Sequence, residues 1–146
     1  MGLFDSGEEH PPSKILRYII TGLAFVAAVG IFSWYMLRFH KQEHVARAFL
    51  NDLSTGDLQA AYGIWSHGPD YSYKDFLDDW GDNGYYGPVK SYHVEGVQNR
   101  SAGVIIVVEV SPYQPFPGND VVKQSKTKLV RLWVQNDKSM VSDAPP

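Results

Sequence analysis

Residues Tyr18 to Leu37 run for 20 positions without a charge, as YIITGLAFVAAVGIFSWYML, with Thr21 and Ser33 as mild polar interruptions. At helical rise, about 20 residues cover roughly the 30 Å hydrocarbon core of a bilayer. A helix that is apolar all round has no solvent face to offer in a small soluble domain. The expected architecture is a short tail, one membrane span and one modest domain.

The ends of the stretch suit a span. Tyr18 stands at one edge and Trp34 and Tyr35 at the other, where amphipathic rings favour the headgroup layer. Lys14 and Arg17 precede it, Arg38 and Lys41 follow it, and such side chains snorkel to water. A cleaved signal peptide is the rival reading. It calls for a shorter apolar core and a small-x-small cleavage site, whereas Trp34-Tyr35-Met36-Leu37-Arg38 closes this run. The stretch therefore reads as an uncleaved anchor. Arg38, Lys41 and Arg47 after the span outnumber Lys14 and Arg17 before it, so the positive-inside rule leans towards an internal domain. Short-tailed signal anchors favour the opposite orientation, tail in the cytosol and domain outside, which is the one expected here.

Small residues gather in the middle of the span. Ala24 and Ala28 are one turn apart, and Gly22, Val26 and Gly30 share a face. Small-xxx-small spacing lets a second helix approach closely, although Gly and Ala are frequent in membrane helices generally. Gly22, Ala24, Ala28 and Gly30 are the expected contacts with a membrane-protein partner, whereas a homodimer would form through the open sheet face of the domain.

Residues 1–14 form a polar tail with Pro11-Pro12, expected to be disordered. Met1-Gly2-Leu3-Phe4-Asp5-Ser6 loosely fits a myristoylation pattern; a chain with a span needs no second anchor, so the match is read as chance. From Gln42 onward there are nine Lys plus Arg against thirteen Asp plus Glu. That balance argues against a nucleic-acid partner and against a polybasic lipid-binding surface. With no cysteine, disulfides, thiolate catalysis and Cys-ligated metals are excluded.

Beyond the span the pattern is first helical. Val45, Phe49 and Leu53 recur at four-residue steps, and the helix should stop at Ser54-Thr55-Gly56, with Gly56 left-handed. Asp57 caps a second helix from Leu58 to about Trp65. His67-Gly68-Pro69-Asp70 breaks it, and Ser72 opens a third helix with a capping-box spacing to Asp75. Phe76, Leu77 and Trp80 form its apolar side, and Gly81, Gly84 and Gly87-Pro88 end it.

The period then becomes strand-like. Strands are expected at 89–98, 102–111, 125–135 and 139–141, with Asn99-Arg100-Ser101 turning the first hairpin and Val104 to Val108 as a central β-branched run. Pro112 to Asp120 holds three prolines. Its stiff backbone suits Tyr113 and Phe116 to partner contact, or to an ordinary crossover folded back on the domain. Residues 143–146 should be loose.

Helices followed by an antiparallel meander describe an α+β domain with helices on one face of a curved sheet. The run from Val45 to Tyr62 (VARAFLNDLSTGDLQAAY), followed by Ser72 to Phe76, resembles the opening of the nuclear transport factor two-like superfamily, whose small membrane-anchored bacterial members share such a pattern. The resemblance covers about residues 42–142. It implies a cone of about three helices packed on a curved antiparallel sheet over 40–142, after a span at 15–39, and a bacterial inner membrane. It also implies an apolar pocket, for which Tyr62, Trp65, Phe76, Trp80, Tyr92 and Glu109 are the candidate lining. The superfamily holds isomerases, dehydratases, transport factors and interaction domains, so fold alone does not set function.

No catalytic set aligns with that superfamily's enzymes, and no cofactor is expected. Glu109 shares a strand face with Ile105 and Val107; buried there it would be a perturbed carboxylate, and facing solvent an ordinary one. His40-Lys41-Gln42-Glu43-His44 spells an inverted zinc-protease motif but lacks the surrounding pattern, so it reads as a polar interfacial turn. Asp79 to Gly84 resembles the start of a calcium loop, yet Gly81 and Lys90 stand where ligands are required. No metal site is assigned. The leading expectation is a non-enzymatic accessory protein docking on a membrane complex; the alternative is a small-molecule binder or enzyme using the cone's pocket.

Overall fold

The computed structural model describes residues 13–144. The expected disordered tail up to residue 12, with its myristoylation pattern, and the last two prolines lie outside the described residues. The chain divides between Arg38 and Phe39 into two compact units, each described by itself.

Helix α1 (Lys14–Thr55) is a single 42-residue element. Within the first unit every side chain from Ile15 to Leu37 is exposed, and the helix is long and apolar enough to cross a membrane. In the second unit it turns amphipathic: Ala46, Phe49, Leu50 and Leu53 are buried at helical spacing. It ends as the sequence requires. Gly56 takes φ +82°, its N–H reaches Leu53 O at 3.2 Å, and Asp57 N–H reaches Asp52 O at 2.8 Å, the paired bonds of a Schellman stop.

Helix α2 (Leu58–Ile64) starts on Asp57, whose carboxylate accepts from Ala60 N–H. Helix α3 (Tyr73–Trp80) starts on a complete capping box between Ser72 and Asp75. Four antiparallel strands follow, in spatial order β1 (Ser91–Arg100), β2 (Gly103–Ser111), β3 (Lys128–Gln135) and β4 (Val141–Asp143). The domain is therefore α+β. One face of the sheet carries Val104, Ile106, Val108 and Val110 of β2 beside Val130, Leu132 and Val134 of β3, and the buried residues of α1, α2 and α3 pack on it in one cluster.

Four details differ from the sequence reading. The first turn is Ser101–Ala102, because Asn99 pairs with Val104 and Arg100 with Gly103. Strand β1 starts at Ser91 and not Val89, which is buried ahead of the strand. Residues 125–127 form the turn between a one-turn helix α4 (Val121–Gln124), capped by Asp120, and β3, which starts at Lys128. Strand β4 runs later than expected and includes Asp143, which pairs with Leu132, while Ala144 N–H reaches Arg131 O at 3.0 Å; these two residues are tied to the sheet and not loose.

Candidate functional site

The six residues expected to line a pocket divide between the core and its margin. Trp65, Phe76 and Trp80 are buried in the core. Phe49 sits among them: it stacks on Trp65 with ring centroids 5.3 Å apart and meets Phe76 and Trp80 edge-on at 6.3 and 5.2 Å. Trp65 and Trp80 also meet at 5.5 Å. These rings pack against one another at distances where the edge of one aromatic is attracted to the face of the next.

The other three candidates lie at the margin. Tyr62 is half-buried, stacked on His67 at 4.5 Å, with its hydroxyl donating to Tyr71 O at 3.2 Å. Tyr92 donates to Asn51 Oδ1 at 2.8 Å, joining β1 to α1. Glu109 is on the sheet face opposite the helices, since β2 turns its even-numbered residues to the core. It is half-buried, and Thr127 Oγ1 donates to its Oε1. On that face Ile105 is only 3% exposed; Trp133 is its cross-strand neighbour, and the indole lies so close over Gly103 that a Cβ there would meet it at 2.8 Å.

Around α3 the surface is acidic. Asp70, Asp75, Asp78 and Asp79, with Gly68 and Tyr71, line a wide-open depression of about 540 Å³. Tyr71 donates its hydroxyl to Asp79 Oδ2 at 2.6 Å. Burial, then that hydrogen bond and the Asp79 charge, push the Tyr71 phenol well above its ordinary range. Burial and, after it, the Asp79 charge also raise the Asp143 carboxyl. Hydrogen bonds from Ser72 hold the exposed Asp75 carboxyl below the usual carboxylate range. No group of three His, Asp or Glu among the described residues stands close enough to hold a metal ion. In the His40-to-His44 segment, Glu43 is engaged by Arg47 at 2.7 Å, a helical i,i+4 pair.

The expected partner contacts divide between the two units. Gly22, Ala24, Ala28 and Gly30 are exposed on α1, and nothing lies within 4 Å of a Cβ built at Gly22 or Gly30. The proline loop folds back on its own strands: Ser91 Oγ donates to Tyr113 O at 2.6 Å, Tyr113 N–H reaches Ser111 Oγ at 3.2 Å, and the Phe116 ring lies 5.7 Å from that of His93. Tyr113 stays 36% exposed, so its backbone is held while part of its ring faces out.

Two residues with structural consequence were missed in the sequence. Tyr71, in the break between helices, finds Asp79 only through tertiary closeness. Gln42 is 6% exposed, and its signal was available: it lies four residues before Ala46, on the same helical stripe as Phe49 and Leu53. No family model matches this chain, and no curated protein or solved structure matches it.

Proposed function

We propose that this chain is a single-pass membrane-anchored accessory protein without catalytic activity, whose α+β domain docks on a partner in a membrane complex. The observation that carries this reading is the filled aromatic interior. Phe49, Trp65, Phe76 and Trp80 pack ring against ring in the core, whereas a ligand site needs an apolar recess with convergent polar groups. The exposed apolar length of α1 supports the anchor. In this reading the helix is inserted with the domain outside the cytoplasm of a bacterial cell, and the domain is a compact relative of the nuclear-transport-factor-two-like cones.

Contact with the partner runs along the small-residue face of α1 and the outward ring of Tyr113. The test is purification from the source membrane in mild detergent, with mass spectrometry of what accompanies the chain. A stoichiometric membrane protein is the expected result, and Gly22→Leu with Gly30→Leu should reduce its recovery by obstructing close helix approach. A chain recovered alone, or a partner unaffected by both leucines, overturns the respective part of the reading.

A further inference from the structure

We infer that the depression between α1 and the β3–β4 turn holds the headgroup of a membrane phospholipid, and that phosphoethanolamine is the chemistry it fits. The inference rests on the membrane-anchored reading and adds a ligand to it. The depression measures about 230 Å³ and is lined by Lys41 and Gln42 of α1 and by Asn136, Asp137 and Lys138 of the turn.

Its inner wall carries an unanswered acceptor. Asn136 Nδ2 donates to Ser101 O at 3.2 Å, which fixes the direction of that amide. Asn136 Oδ1 therefore faces Gln42 Nε2, at 3.4 Å. The chain of amides ends at Gln42 Oε1, which is buried and has no donor. A buried carbonyl left so carries the cost of lost hydration with nothing in return. The last torsion of glutamine is soft, so a modest turn of the amide brings that oxygen to a donor in the depression.

The charges at the rim complete a zwitterion-shaped set. Exposed Lys41 and Lys138 offer ammonium groups to a phosphate, while exposed Asp137 and, once its amide has turned, the buried Gln42 Oε1 offer acceptors to an alkylammonium. Phosphocholine has the same charges but no N–H to donate, and phosphoglycerol has no cation for Asp137. Chain length supplies the lipid. Lys41 is the fourth residue after Leu37, the end of the uncharged run. Even fully extended, that connection reaches no more than about 14 Å, which keeps the Lys41 side chain within reach of a headgroup layer roughly 5–8 Å deep. The modest acidity of the whole domain does not oppose this, because recognition is by a local set and not by a long-range field.

The experiment uses the full-length chain in detergent micelles, with lipid retention read by native mass spectrometry. Phosphatidylethanolamine should be retained about tenfold better than phosphatidylcholine of the same acyl chains. Lys138→Gln should weaken both lipids, and Asp137→Asn should erase the preference between them; both positions are exposed, so the fold is kept. Equal retention of the two lipids, or a preference unchanged by Asp137→Asn, overturns the inference. Free O-phosphoethanolamine binding as tightly as the lipid overturns the lipid as source. Alkaline carbonate extraction separates the two readings. A chain released by carbonate defeats the anchor and the lipid with it, whereas a retained chain without lipid selectivity defeats the headgroup site alone.

Discussion

Phe49 meets Trp80 edge to face with ring centroids 5.2 Å apart, joining α1 to the last residue of α3. Phe49 has no exposed surface and touches two further core rings. Removing it in Phe49→Ala leaves a cavity that rigid neighbouring rings cannot close, so the expected loss is about 3–5 kcal/mol. Set against a total of roughly 5–15 kcal/mol for an ordinary domain, that loss should leave the variant partly unfolded. Tryptophan emission during urea titration of the full chain in detergent measures it. A loss below about 1 kcal/mol would mean that the rings re-pack as a fluid cluster, against the close packing of protein interiors.

Two glycines make an opposed pair. A Cβ at Gly87 would stand 1.8 Å from Gly81 O, a backbone atom that cannot step aside. Gly87→Ala should cost at least about 1–3 kcal/mol, as overpacking does, by opening the loop after α3. Gly63 lies in α2 with nothing within 4 Å of such a Cβ. Gly63→Ala should stabilise by about 0.5–1 kcal/mol, because alanine loses less backbone freedom on entering a helix. Thermal midpoints of both variants check the pair, and a shared direction of change contradicts the local geometry.

What the sequence made legible was local. Asp57, the Ser72–Asp75 box and Gly56 act within one turn of chain, so the starts of α2 and α3 and the stop of α1 were readable to the residue. The β-branched run of β2 was equally plain. The end of β1 was not: Asn99 and Arg100 are turn-like and exposed, and only their pairing with Val104 and Gly103 makes them strand. Helix α4 buries nothing, with Val121 and Val122 both more than 70% exposed, so it leaves no apolar stripe to detect. The packing of the candidate pocket residues was illegible for a different reason. Aromatic residues at core spacing look alike in sequence whether they line a space or fill it, and the place of Phe49 among Trp65, Phe76 and Trp80 is a tertiary relationship that no spacing carries.

Acid titration should show two carboxylates acting with opposite sign. Asp75 is held below its ordinary range by Ser72. A depressed folded value means that its support is present above the unfolded value of about 3.9 and is lost as pH falls through the folded one. Asp143 is raised by burial and by the Asp79 charge. Its contribution is complete below about pH 3.9 and is lost as pH rises through the raised folded value. Asp143→Asn should therefore hold its urea midpoint as pH rises above about 3.9, where the wild type loses stability through this group, and be the more stable protein near neutrality. Asp75→Asn should be weaker than wild type near neutrality and approach it as pH falls below about 3.9. Urea midpoints of the three proteins across that range measure both effects. An Asp143→Asn curve parallel to wild type from about pH 3.9 up to neutrality would show that Asp79 and burial do not act on Asp143.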